Sequence, residues 1–312
     1  MKAYLYLVFS LVSAATLLTT TPALADSSGF FGSEITETRY SAWVANMPDL
    51  DQKRLLLLKQ GQKYCGPAAA ANILTFIANN GYPEVEPGWV PNAWNPFPEV
   101  PPLLSMKQSA NASAYRDQTQ LLRRIASEVD EFDPLVGSKV SSLSQAIKTF
   151  LPDSFHVSYI GQARCGSLST EAVEPGHIFW NLALGYPTII HFSRFQIEEN
   201  GQYTKTGGHY VTPVLLTGDL ENDSILIGYR DSSAEDTDLM TQSTYRTEIR
   251  WLKRVLVTHN DLEKETTCRR WRWTMHTTPE MNDSNPQILE WAITVYPDSS
   301  FPGASSLPVV TP

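Results

Sequence analysis

Apolar and polar positions follow two different periods along this chain, and the change between them falls past its middle. Within residues 68–79, Ala69, Ala70, Ile73, Leu74, Phe76 and Ile77 recur at spacings of three and four, which predicts a helix with an apolar face. Pro67 stands where the first helical turn needs no N–H, and Asn80-Gly81 supplies a stop, so the helix is expected to begin at Gly66 or Pro67 and to end at Asn79. Residues 113–126 and 140–151 read as two further helices, and a leucine cluster at 55–58 predicts a short one. Farther on, the segments 188–192, 209–217, 224–229, 245–257, 270–276 and 288–296 are rich in β-branched and aromatic side chains and are separated by turn residues, so they read as strands. Helices first and antiparallel strands later predict an α+β fold with segregated halves. Residues 26–39 read as irregular. The proline-rich stretch 82–102, with Trp89, Trp94 and Phe97, reads as an ordered loop, and 297–312 as a flexible tail.

The first 25 residues stand apart from this pattern. Lys2, an apolar run over 3–18 and the small-residue site Ala23-Leu24-Ala25 have the form of a secretory signal peptide cleaved after Ala25. A membrane anchor is the competing reading of the same run. Later segments do not approach eighteen unbroken apolar residues, so the expected product is secreted or periplasmic, without stable membrane insertion after cleavage. The charge balance, 24 Lys plus Arg against 33 Asp plus Glu, gives a net charge of −9 and no broad basic surface, which argues against a nucleic-acid partner. With 42% hydrophobic and 18% charged residues the composition is that of a folded protein.

Export makes the three cysteines informative, because an oxidising compartment pairs thiols and an odd number leaves one over. Buried reduced cysteines acting as small hydrophobes are the plainer reading. Cys65 differs in lying at the predicted helix N-terminus, where unpaired N–H groups and the helix dipole favour thiolate. A thiolate nucleophile requires a base, and of six histidines His209 follows Gly207-Gly208 and opens a strand. A hairpin centred on Leu220 sets His209 directly opposite Asp231, with Cβ atoms about 5 Å apart, although Pro213 lacks a ladder donor and a bulge there would shift the register. The spacing from Cys65 to His209 falls in the roughly 130–150-residue range of papain-type pairs. Gln60 or Gln62 could join the Cys65 backbone N–H as an oxyanion hole. The histidines lack zinc-site spacing and no Gly-x-Ser-x-Gly elbow occurs, so neither a metal nor another cofactor is expected. The acidic stretches 128–133 and 219–223 lack calcium-loop spacing.

Four ordered motifs carry a family resemblance. The run from Gln60 through Tyr64-Cys65-Gly66-Pro67-Ala68-Ala69 resembles the nucleophile helix of papain-like cysteine peptidases, most of all the bacteriocin-processing, double-glycine leader peptidases and their secreted relatives. Leu184-Gly185-Tyr186-Pro187-Thr188-Ile189-Ile190, Gly208-His209-Tyr210-Val211 and the apolar strand ending in Asp231 are similar to that branch's later motifs. The likeness covers about residues 60–235. It departs where the family has its oxyanion glutamine, since Lys59 stands six residues before the cysteine, so that Gln60, one position off, is favoured over Gln62, and where Ser232-Ser233 follows the aspartate in place of proline. The resemblance implies a papain-like domain over 60–296, with a helical half carrying Cys65 and a β half carrying His209 and Asp231. An N-terminal extension over 26–59 would precede it, and an insertion would occupy about 82–175. It implies a cysteine peptidase acting on a peptide or protein substrate. A non-catalytic binding module, and an acyl transferase or small-molecule amidase, are the alternatives on the same scaffold. With Cys65 assigned to chemistry, Cys165 and Cys268 become a candidate disulfide closing a loop of about 100 residues, with a contribution of about 4–5 kcal/mol in the chain-entropy account.

Overall fold

The computed structural model describes residues 31–45, 47–54, 56–86, 113–130, 132–133, 137–161, 172–199, 203–221, 224–233, 247–261, 266–278, 280 and 286–298. The predicted signal peptide, most of the proline-rich loop, Cys165 and the predicted tail beyond Asp298 lie outside these residues. Helix α1 (Cys65–Asn79) starts at the cysteine itself, with Pro67 in its first turn, and Gly81 follows its end at φ +106°. The sequence pattern suggests one apolar face, yet every residue from 66 to 78 is buried. Alanines at 68–71 allow this, because their small side chains let neighbours close in from all sides. Helices α2 (Ser113–Glu128) and α3 (Val140–Thr149) pack against α1, burying Leu121, Leu122, Ile125, Leu143, Ala146 and Ile147. Burial of Ile73, Leu74, Phe76 and Ile77 contributes about 1.5–3 kcal/mol each to holding α1 in place.

The described strands are β1 (Phe31–Ile35), β2 (Arg39–Val44), β3 (Phe155–Gly161), β4 (Thr188–Ile197), β5 (Tyr203–Asp219), β6 (Ser224–Arg230), β7 (Thr247–Asp261), β8 (Thr266–His276) and β9 (Gln287–Pro297). They form one antiparallel sheet in the order β1-β2-β5-β4-β9-β8-β7-β6, with β3 on β9. Because β6 also pairs with β5, the pairing path β5-β4-β9-β8-β7-β6 returns on itself. Strand β5 is the hinge of this arrangement. Over 203–208 its residues alternate between exposed and half-buried, whereas 209–212 are all buried, where α1 packs on the sheet.

The fold is α+β as expected, but the halves are less segregated than the sequence pattern suggests. Residues 31–44, most of which read as irregular, form β1 and β2, and β2 joins the sheet on β5. Their turn is closed by Thr36, whose Oγ1 accepts from the Arg39 N–H at 3.0 Å. Strand β3 and helix α4 (Pro175–Ala183) also lacked a clear periodic signal. Helix α4 is fixed by a capping box at Glu174 and His177, and Trp273 donates to the Glu174 carboxylate at 2.6 Å. The leucine cluster at 55–58 leads into a 3-10 turn, Leu58–Gly61, instead of an α-helix.

Candidate active site

Cys65 is delivered by an unusual turn. Lys59 and Gln60 both adopt left-handed backbone conformations, at φ 50° and 54°, and Gly61 continues at +79°. Two consecutive non-glycine residues in this region cost on the order of 1–3 kcal/mol each, so the turn must be held from outside. Gln52 supplies part of that support: its Nε2 donates to the Gln62 carbonyl at 3.0 Å, and its own N–H donates to the Ser232 carbonyl at 2.9 Å. Gly61 packs so tightly beneath it that an added Cβ would lie 1.7 Å from the Gln52 carbonyl oxygen. The chain then enters α1 with the Cys65 sulfur accepting from the backbone N–H groups of Gly66 and Tyr210.

His209 and Asp231 meet, though not in the register expected. The β5–β6 hairpin pairs Asp219 with Ser224 and Leu215 with Gly228, then shifts at Pro213 so that Thr212 faces Arg230. The turn itself offsets the ladder by three residues from a hairpin centred on Leu220, and the bulge beside Pro213 takes back one, leaving a net shift of two. Continued along the strand, this register sets Ser233 opposite His209 and Asp231 opposite Val211, so His209 and Asp231 are diagonal neighbours on one face. The diagonal suffices: His209 Nε2 lies 2.6 Å from Asp231 Oδ1. Ser233 completes the junction, donating to Asp231 Oδ1 from both its N–H and its hydroxyl at 2.8 Å, with its Oγ 3.1 Å from His209 Nε2. Phe192 packs edge-on against the imidazole at 5.5 Å between centroids.

The imidazole is therefore bonded on both sides, to Asp231 through Nε2 and to the Cys65 sulfur. Burial disfavours a charge on Cys65, but the His209 hydrogen bond, its positive charge and the two backbone N–H groups outweigh this and hold the thiol below its usual range. Burial likewise opposes the imidazolium, yet Asp231 and Cys65 lift His209 to about 9. Asp231, despite its own burial, is held down to about 2 by His209 and Ser233. These shifts belong to one coupled constellation, and their common direction is toward thiolate, imidazolium and carboxylate.

The constellation opens on a cavity of about 790 Å³. Of the two candidate glutamines, Gln62 lines it, whereas Gln60 is exposed outside it with its backbone spent in the left-handed turn. Gly208 allows the expected close approach, since a Cβ there would lie 2.5 Å from His191 Nε2, but Gly207 faces open space. Tyr210 donates to the Ser138 carbonyl at 2.9 Å, tying β5 to the loop before α3. Gln52 and Ser233 escaped the sequence reading. The Asp-x-Ser spacing of a side-chain-capped turn could have identified Ser233, whereas nothing local marks Gln52.

Among the described residues no group of three or more His, Cys, Asp or Glu side chains is placed to hold a metal ion, and no helix is long and apolar enough to cross a membrane. Cys65 is a free thiol. Cys268 is the register partner of His259 in the β7–β8 ladder, and the candidate bridge to Cys165 lies outside the described residues. Compared with models of known protein families and with curated proteins, the chain has no match to either.

Proposed function

We propose that this chain is an exported cysteine hydrolase of the papain-like type, which cleaves peptide bonds with Cys65 as nucleophile, His209 as general base and acid, and Asp231 as the group that orients His209. The observation that carries the reading is the unbroken hydrogen-bonded series from Cys65 through His209 to Asp231 at the mouth of a substrate-sized cavity. The Cys65 thiolate attacks the scissile carbonyl carbon, and the carbonyl π pair moves onto oxygen. That oxyanion forms beside the N-terminus of α1, where backbone N–H groups and the Gln62 side chain can donate to it. As the oxyanion collapses, the imidazolium gives its proton to the leaving amine and the C–N bond breaks, leaving a thioester. His209 then removes a proton from water, the resulting hydroxide equivalent adds to the thioester carbonyl, and Cys65 leaves as thiolate with the proton held again on His209.

Asp231 keeps Nε2 protonated throughout, so the ring's other nitrogen faces the sulfur. The test is digestion of a peptide library by the leaderless chain, with Cys65→Ala as control. Cleavage by the parent and none by the variant is the expected result. Equal cleavage by both, or none by either together with an unreactive Cys65, overturns the reading.

A further inference from the structure

Resting on the cysteine-hydrolase reading, we infer that the cleft selects an acidic peptide segment, held between two cationic walls on either side of Cys65. The chain as a whole carries a net charge of −9, yet its cleft is lined by five cations. Lys53 and Lys63 come from the segment that leads into α1. Arg194, Lys205 and Arg250 come from β4, β5 and β7 on the His209 side. Two lining carboxylates oppose them, Asp231 and Glu248, so the lining has an excess of three positive charges. Cys65 and His209 together add nothing to this balance when present as thiolate and imidazolium.

The two carboxylates are already engaged. Asp231 holds His209, and Glu248 Oε2 lies 3.1 Å from Arg250 Nη1. Lys205 reaches down to the buried Glu290 at 3.0 Å, a carboxylate that also accepts from Ser193. Lys63 and Arg194 are exposed and have no ion-pair partner among the described residues. Arg250 is seated over the Tyr229 ring, 5.8 Å from its centroid, and Arg194 acts electrostatically on the same phenol. This gives the strand wall a preset guanidinium platform next to Asp231.

A peptide crossing the cleft has cations on both sides of its scissile bond, so Asp and Glu residues flanking that bond find partners. A basic peptide is repelled, and a neutral one offers Lys63 and Arg194 no counter-charge as water is displaced. The focused positive potential also speeds the arrival of acidic chains, in a manner that salt suppresses.

The test measures binding to the Cys65→Ala chain, so it does not depend on turnover. Fluorescein-labelled octapeptide pools rich in Asp and Glu are compared, by anisotropy, with twins carrying Asn and Gln at the same positions and with single-stranded oligodeoxythymidylate. The acidic pool is expected to bind about tenfold tighter than its amide twin at about 50 mM salt, and the advantage should shrink severalfold at about 500 mM. Arg194→Glu and Lys63→Glu should each remove most of the preference, and Arg194→Lys should retain it. Unfolding temperatures check that each variant is folded, with Arg194→Gln and Lys63→Gln as milder substitutes. Equal binding of acidic and amide pools, a preference that survives both charge changes, or oligonucleotide binding as tight as the acidic pool overturns the inference. Alkylation of Cys65 in the parent chain is read in parallel. A reactive thiol without acidic preference defeats this inference alone, whereas an unreactive thiol defeats the hydrolase reading.

Discussion

Replacing Asp231 by Asn keeps an oxygen able to accept from His209 Nε2 at the 2.6 Å contact and removes the negative charge. Ser233 can still donate to that oxygen from its N–H and hydroxyl, so the local fold should persist. The imidazolium is what changes. Burial works against it, and Asp231 and Cys65 together raise His209 from 6.5 to about 9. That rise corresponds to about 3 kcal/mol at roughly 1.4 kcal/mol per pH unit. With Asn in place, His209 should be neutral at pH 7. Cys65, without a cation beside it, is then left with the burial that favours its protonated form.

Losing only the Asp231 share of that coupling corresponds to roughly a tenfold or greater loss of thiolate near pH 6.5. The assay is the second-order rate of iodoacetamide alkylation at Cys65 as a function of pH, read by mass spectrometry. In Asp231→Asn the alkylation midpoint should rise by about one pH unit or more. A midpoint within about half a unit of the parent, in a variant with the parent's circular dichroism, would refute the reasoning.

Three further outcomes are expected. The His209 pKa is raised, so its contribution to stability is complete below about 6.5 and lost as pH rises through about 9; His209→Ala should therefore flatten the pH dependence of urea unfolding in that window. Gly61→Ala should destabilise by roughly 3 kcal/mol or more in equilibrium unfolding, because φ is +79° and the new methyl would meet the Gln52 carbonyl at 1.7 Å. Gln52→Leu should cost about 2–3 kcal/mol by leaving the Gln62 carbonyl and the Ser232 hydroxyl short of a partner, and it should slow Cys65 alkylation because the cysteine turn loosens.

Much of the fold could be read from the sequence where side-chain period was strong. Helix α1, with Pro67 near its start and Gly81 after its end, needed no tertiary information, and the long strands β5 and β9 announced themselves through β-branched and aromatic runs. Strands β1 and β2 did not, because Phe31, Gly32 and Ser33 give no alternation and their pairing partner on β5 lies far along the chain. The meeting of His209 with Asp231 was legible although the assumed register was wrong. A two-residue shift preserves which face a side chain occupies, and a diagonal pair on one face can still touch. The sequence favours Gln60 over Gln62 as the candidate oxyanion donor, yet Gln62 lines the cavity, because local sequence does not reveal a left-handed turn at two non-glycine residues. Gln52 was hidden for a related reason: its partners Gln62 and Ser232 lie far apart in the chain, and only the fold brings them to one side chain.

The central claim is that Cys65 is a nucleophile activated by His209. It is tested most directly by the iodoacetamide alkylation rate of Cys65 at about pH 6, in the native chain, in the urea-unfolded chain and in native His209→Ala. The account predicts native labelling at least tenfold faster than in the unfolded chain, with that advantage lost in His209→Ala. Native labelling no faster than unfolded, or unchanged by His209→Ala, would contradict it.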